Sequence, residues 1–227
     1  MKALAIFLLC AGAVAGENSD LTKARDLQDR ATLDKILTNC RTEADKQPRD
    51  ADAQYRLALA ASYAAEVATE LRDKGATKTF AQTGIDAAER AVNLQPDSAE
   101  HQRILGTLCG QIISGNSLSA LKYGKCALEA VNKAIELDPK SSINYVSHGV
   151  GNYYLPPAFG GGMDLAIKDF RKALELDPKN ADAWLWLGIA LRRVNQPEEA
   201  RKALQKSLEL NPNRMWAKQQ LEKTPAP

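Results

Sequence analysis

Four prolines stand at the same point of one recurring phrase: Val-Asn-Leu-Gln-Pro96, Ile-Glu-Leu-Asp-Pro139, Leu-Glu-Leu-Asp-Pro178 and Leu-Glu-Leu-Asn-Pro212. Pro178 and Pro212 are 34 residues apart, and a fixed period of that size marks an array of helical hairpins, each burying its apolar side only against a neighbour. The expected fold class is therefore all-α, a solenoid of antiparallel helix pairs. Nothing in such an array by itself calls for a catalytic centre.

The last repeat carries the pattern most fully. Counting Ala181 as position 1, Trp184, Leu187, Gly188, Leu191, Ala200, Leu204, Ser207 and Pro212 fall at positions 4, 7, 8, 11, 20, 24, 27 and 32. Gly188 and Ala200 are small enough to let two helices approach, while the larger residues fill the interface between them. Pro212 follows the second helix, where it cannot continue the hydrogen-bond ladder. In these residues the chain resembles the tetratricopeptide (TPR) family, which implies a right-handed TPR solenoid.

The other units are longer. Pro139 to Pro178 spans 39 residues, and the surplus falls at Leu155-Pro-Pro-Ala-Phe-Gly-Gly-Gly-Met163, where prolines and glycines rule out continuous helix. Helix is expected to resume at Asp164 as a cap. Pro96 to Pro139 spans 43 residues, with a long second helix from about Ser117 to Leu137, and Pro48 to Pro96 spans 48. There the periodicity predicts a first helix over 51–71, a break at Gly75 and a second helix from about Lys78 to Asn93. The resulting division is four helix pairs over about 49–96, 97–139, 140–178 and 179–212. Ahead of them, residues 16–48 form a helical half-repeat, helical from Leu21 to Lys46 with Leu27, Leu33, Ile36, Leu37 and Cys40 as its apolar face. Behind them come a capping helix over 213–223 and a disordered tail over 224–227.

Lys2, the apolar run from Ala3 to Val14 and the small residues of Ala13-Val14-Ala15 read as a secretory signal peptide over residues 1–15. The run is shorter than the roughly 20 residues a permanent span requires, so stable membrane insertion is not expected. A lipoprotein attachment at Cys10 is disfavoured by Leu9, which stands where a small residue is wanted. The protein is expected to be exported, in the periplasm if the source is Gram-negative and otherwise secreted.

The chain has 30 basic and 28 acidic side chains, with no Lys/Arg run that would make a nucleic-acid footprint. Removal of the leader leaves Cys40, Cys109 and Cys126, an odd number that internal bonds cannot pair off completely. Cys109 and Cys126 are on the two helices of one unit and could bond in an oxidising compartment; burial as small apolar residues in helix interfaces is the favoured reading.

Chemistry-bearing motifs are absent. There is no Cys-x-x-Cys, His-Glu-x-x-His, Gly-x-Ser-x-Gly or phosphate loop, and the two histidines are His101 and His148. No catalytic, metal or cofactor site is expected. Gly160-Gly161-Gly162 could offer amides to an anion but lacks the Lys-Ser/Thr of a nucleotide site, so it is read as a tight turn. His148, at position 7 of a first helix, is read as a packing residue with a hydrogen bond.

Positions 2, 5, 9, 12 and 13 of each first helix face the groove in TPR proteins, which the resemblance transfers to Tyr55, Leu59 and Tyr63 in the first unit. In the third they are Ile143, Val146, Val150, Tyr153 and Tyr154, and in the fourth Leu185, Ile189, Arg192 and Arg193. Aliphatic and tyrosine side chains with two arginines at one end would suit a protein or peptide partner, or a small apolar acid. Equally, the long helices and the 156–162 loop could close the curvature and bury these residues internally.

Finally, Leu155-Pro-Pro-Ala-Phe-Gly-Gly-Gly followed by Ala166-Ile-Lys-Asp-Phe-Arg-Lys-Ala resembles two groups of lengthened TPR proteins. One is the periplasmic T-component of tripartite (TRAP) transporters. The other is the regulator of microtubule dynamics family, with a similar stretched arrangement before Ala-Ile-Glu-Leu-Asp-Pro139. Either likeness reaches at most from Asp50 to Pro178. The sequence supports a non-enzymatic exported scaffold that binds a partner through its groove, with a carrier of a small apolar, negatively charged ligand as the rival.

Overall fold

The computed structural model describes residues 19–113 and 117–225; the expected leader lies outside them. Among these residues the secondary structure is helical: α1 (residues 19–26), α2 (Arg30–Lys46), α3 (Ala51–Glu70), α4 (Lys74–Leu94), α5 (Ala99–Ile113), α6 (Ser117–Leu137), α7 (Ser142–Tyr154), α8 (Met163–Leu176), α9 (Ala181–Arg193), α10 (Pro197–Leu210) and α11 (Met215–Glu222). The pairs α3/α4, α5/α6, α7/α8 and α9/α10 pack as hairpins, and α3, α5, α7 and α9 touch in succession to form the inner layer of the solenoid.

The recurring phrase ends each second helix. Leu94, Leu137, Leu176 and Leu210 are the last helical residues, and each proline comes two positions later. Side chains of the following helix reach back to the helix end before it: Asn144 donates to the carbonyls of Ala134 and Asp138, and Gln54 likewise to the Ala44 carbonyl of α2. At position 8 of the four first helices stand Ala58, Gly106, Gly149 and Gly188. A Cβ on Gly149 would come within 2.5 Å of Phe170 and one on Gly188 within 2.6 Å of Leu204, so the small residue sets the hairpin spacing.

Several boundaries differ from expectation. The stretch 21–46 is two helices, because Gln28 adopts a positive φ of 56° and the Asp29 carboxylate accepts the Thr32 amide to start α2 anew. Leu27 is consequently exposed, whereas Leu33, Ile36, Leu37 and Cys40 are buried. The break after α3 is at Arg72, with φ 62°, and Asp73 rather than Gly75 starts the next helix by accepting the Ala76 amide. Helix α8 begins at Met163, one residue before Asp164. Thr224, assigned from sequence to a disordered tail, is buried: its hydroxyl donates to the Gln220 carbonyl and its own carbonyl accepts from Arg201. The structure also joins Cys109 to Cys126 in a disulfide between α5 and α6, where simple burial was favoured.

The two ends of the solenoid meet. Arg25 of α1 donates to Asp182 of α9, Asn211 donates to Asp26, and the Gln28 and Gln219 side-chain amides face each other. Between them sits Arg214, 1% exposed.

Candidate functional site

This closure narrows the groove to a partly open cavity of about 120 Å³. Residues four apart on the first helices supply its walls, since side chains at i and i+4 stack on one helix face. Helix α3 gives Ser62, Tyr63, Glu66, Thr69 and Glu70; α5 gives Arg103, Ile104, Thr107 and Gln111; α7 gives Ile143, Val146, Ser147, Val150 and Tyr154; α9 gives Asp182 and Trp186. Arg25 of α1, Asn180 just ahead of α9 and Trp216 of α11 complete it.

Of the twelve groove residues expected, Tyr63, Ile143, Val146, Val150 and Tyr154 line the cavity. The remainder serve packing. The Tyr55 hydroxyl donates to Glu100 and its ring lies 5.2 Å from that of His101. Leu59 packs on the first core cluster, while Leu185 and Ile189 are buried in the second. Tyr153 stands edge-on to Tyr154 and Trp186. Neither arginine at the end of α9 reaches the cavity: Arg192 donates to the Gln220 side chain at 2.6 Å, and Arg193 covers the Tyr153 ring at 4.9 Å. The anchor expected for a small acid is thus spent on holding α11 and an aromatic ring.

The positions missed had a usable signal. The same ruler run over α5 yields Arg103, Thr107 and Gln111 at positions 5, 9 and 13, and position 2 of α9 is Asp182. Glu66 and Glu70 are on turns of α3 beyond the standard repeat length. Arg214 and Trp216 had no such signal.

Arg25 and Arg214 join Asp26, Glu66, Glu70 and Asp182 in one network, and Arg103 forms a separate pair with Glu100. Arg214 donates to Glu66 Oε1 at 2.6 Å, to Glu70 Oε2 at 3.2 Å and also to Glu70 Oε1. Arg25 donates to Asp26 at 2.7 Å and Asp182 at 2.8 Å, with its guanidinium 4.9 Å from the Tyr63 ring centre. Arg103 pairs with Glu100 at 2.6 Å. Burial pushes the Glu70 carboxyl up to about 7, with Arg214 opposing and Glu66 adding to the rise. Burial also tends to raise Asp182, but Arg25 and Arg214 together bring it below the usual carboxylate range.

The loop between α7 and α8 offers no anion site. The amides of Gly160, Gly161 and Gly162 donate to the carbonyls of Pro157, Pro156 and Asn152. With φ at 87° for Gly160 and 139° for Gly162, the triplet is a turn that needs glycine. His148 is 2.8 Å from Asp169, which also accepts from Asn152, as a packing histidine would be. Among the described residues no group of His, Cys, Asp or Glu could hold a metal ion, and no helix is long and apolar enough to cross a membrane.

Comparison with known proteins decides the family. The family model described as regulator of microtubule dynamics protein 1-3 matches residues 20–155, more than half of the chain. The chain belongs to that family. A tetratricopeptide-repeat model matches residues 163–221 of this regulator of microtubule dynamics family member, so the TPR and regulator of microtubule dynamics resemblances meet in one array. Small glutamine-rich tetratricopeptide repeat-containing protein 2 of Mycosarcoma maydis is 35% identical over 97 residues, 43% of this chain and 26% of that protein; the chain spans about a quarter of that relative's length. The crystal structure of TTC0263, a thermophilic TPR protein of Thermus thermophilus, superposes with a TM-score of 0.66 at 17% identity, covering 92% of this chain and 98% of that one. That likeness shows the TPR solenoid fold.

Proposed function

We propose that this chain is a non-enzymatic, exported TPR scaffold that binds a segment of a partner protein on its concave face. The observation that carries the reading is that this face already holds a short helical segment, the chain's own α11. Arg214 enters a nest of carboxylates, and two residues on, Trp216 stands edge-on to Trp186 with ring centres 5.0 Å apart. A buried cation beside an aromatic anchor is the composition of a protein-interaction hot spot. A partner segment with an arginine two residues ahead of an aromatic ring would meet the same acceptors.

The leader-like sequence at residues 1–15 supports export, and the Cys109–Cys126 bond supports an oxidising compartment. The microtubule role in the family's description is not part of this reading, because an exported, disulfide-bonded chain would work away from the reducing cytosol. The small-acid carrier loses ground, since Arg192 and Arg193 are engaged elsewhere.

The test is calorimetric. A chain shortened after Asn213, its fold checked by circular dichroism, is titrated with a synthetic peptide of residues 214–223. The peptide should bind the shortened chain but not the full one, whose seat is taken, and changing its Arg214 to Ala should weaken binding by about tenfold or more, a 1.4 kcal/mol difference. A folded shortened chain that ignores the peptide would sink the reading.

A further inference from the structure

The charges around the cavity do not balance. Two cations, Arg25 and Arg214, are shared among four carboxylates, Asp26, Glu66, Glu70 and Asp182, in one contiguous set of ion pairs. Arg103 pairs separately with the exposed Glu100. An excess of buried negative charge is costly unless a proton or a cation neutralises it. The excess is turned toward the cavity: Glu66 uses Oε1 for Arg214, and no described donor reaches its Oε2. Asp182 gives Oδ2 to Arg25, with Oδ1 no closer than 3.9 Å to Arg214.

The rest of the wall is aromatic. Tyr63, Tyr154, Trp186 and Trp216 all line the same space. Two of these rings already attract cations, Tyr63 holding Arg25 at 4.9 Å and Trp216 facing Arg214 at 5.7 Å, as expected for ring faces whose quadrupole is negative. Trp186 and Tyr154 meet edge-on, 6.1 Å between centres, and carry no guanidinium. No described protein atom hydrogen-bonds the Tyr63 or Tyr154 hydroxyl, so both stay available to an occupant.

From this combination we propose that the cavity binds a small organic ammonium ion, its cationic head between the Tyr154 and Trp186 rings and the free oxygen of Glu66. The volume decides the size class. An apolar cavity of roughly 150 Å³ accommodates benzene, so about 120 Å³ matches a compact alkylammonium head, with a short substituent extending through the open side, and is too small for a peptide. Aromatic walls favour an alkylated ammonium over a bare metal ion, which would require several oxygen ligands converging at short range. The Glu70 carboxyl, pushed up to about 7 by burial and further by Glu66, shows that negative charge is disfavoured on this wall. This assignment does not depend on the peptide reading, since it concerns the space left beneath α11 when α11 is in place.

The test uses the full chain and two probes of equal shape, choline and its uncharged carbon isostere 3,3-dimethylbutan-1-ol, with butyrate as the anionic control. Choline should bind by calorimetry and raise the melting temperature, while the isostere binds about tenfold more weakly or worse. Glu66→Gln, which can still accept from Arg214, should weaken choline by a similar factor and leave the isostere unchanged. Equal binding of choline and isostere to the wild-type chain, retention of choline by Glu66→Gln, binding of butyrate alone, or no binding of choline would each overturn the assignment. The wild-type comparison stands even if the variant fails to fold.

Discussion

Arg214 and Glu70, 144 residues apart in the chain, are joined by paired charge-assisted hydrogen bonds in the interior, each side chain about 1% exposed. The pair ties the turn before the last helix to the end of the first long helix.

Replacing Arg214 with Met should therefore be severe. It leaves Glu66 and Glu70 buried without their main counter-charge, a change that costs about 3–5 kcal/mol when one partner of a buried pair is removed. Urea unfolding of the variant measures it, and a loss under about 1 kcal/mol would mean that the network is worth little more than a surface ion pair.

Acidity should act through Glu70. Its carboxyl is raised by burial from 4.5 to about 7 in the folded chain, so the folded state takes up a proton over that window more readily than the unfolded one. The contribution is fully present below the unfolded value and is lost as pH rises through about 7. Stability should thus increase from pH 8 to pH 5, on the order of 1–3 kcal/mol from this group, and Glu70→Gln should flatten that part of the profile. Thermal melts across the range decide it.

The hairpin spacing yields a third expectation. Gly188→Ala sets a methyl within 2.6 Å of Leu204 and 3.0 Å of the Ala200 carbonyl, overpacking worth about 1–3 kcal/mol. Gly110→Ala, whose added carbon meets nothing within 4 Å, should be neutral or slightly stabilising because alanine favours helix. Equal effects at the two positions would contradict the packing account.

The Cys109–Cys126 bond closes a loop with a sequence separation of 17, so reduction should cost about 3 kcal/mol by the chain-entropy estimate. Melting with and without reductant, with Cys126→Ser as the control insensitive to reductant, measures the loss.

Arg192 should behave as a tether rather than a ligand residue. Arg192→Ala removes both of its bonds to Gln220 and should speed amide exchange over residues 215–222 while leaving α3 and α5 protected. Hydrogen-exchange mass spectrometry reads this directly.

The local order of this fold was legible because it is repeated. Proline after each second helix and a small residue at position 8 follow from helix physics within one repeat. The same ruler placed Tyr63, Val146, Val150 and Tyr154 on the cavity wall. What it could not convey was closure. Periodicity says which side of a helix faces inward but not how far successive hairpins rotate, so the meeting of Arg25 with Asp182 and of Arg214 with Glu70 had no local cue. Arg192 and Arg193 illustrate the converse: both hold inward positions, yet their long side chains reach past the groove to Gln220 and Tyr153. Gln28, with its positive φ, shows a break that no glycine or proline announced.

The clasp between the two ends changes how the molecule should come apart. An open solenoid frays from its tips, each repeat held only by its neighbours. Here the tips hold each other, through partners up to 191 residues distant, so neither end is a free edge from which unfolding can propagate. Loss of the first helix should release the last, and the array should melt as a single cooperative unit. The same long-range contacts must be found late during folding, at a loop-closure cost that slows the final step.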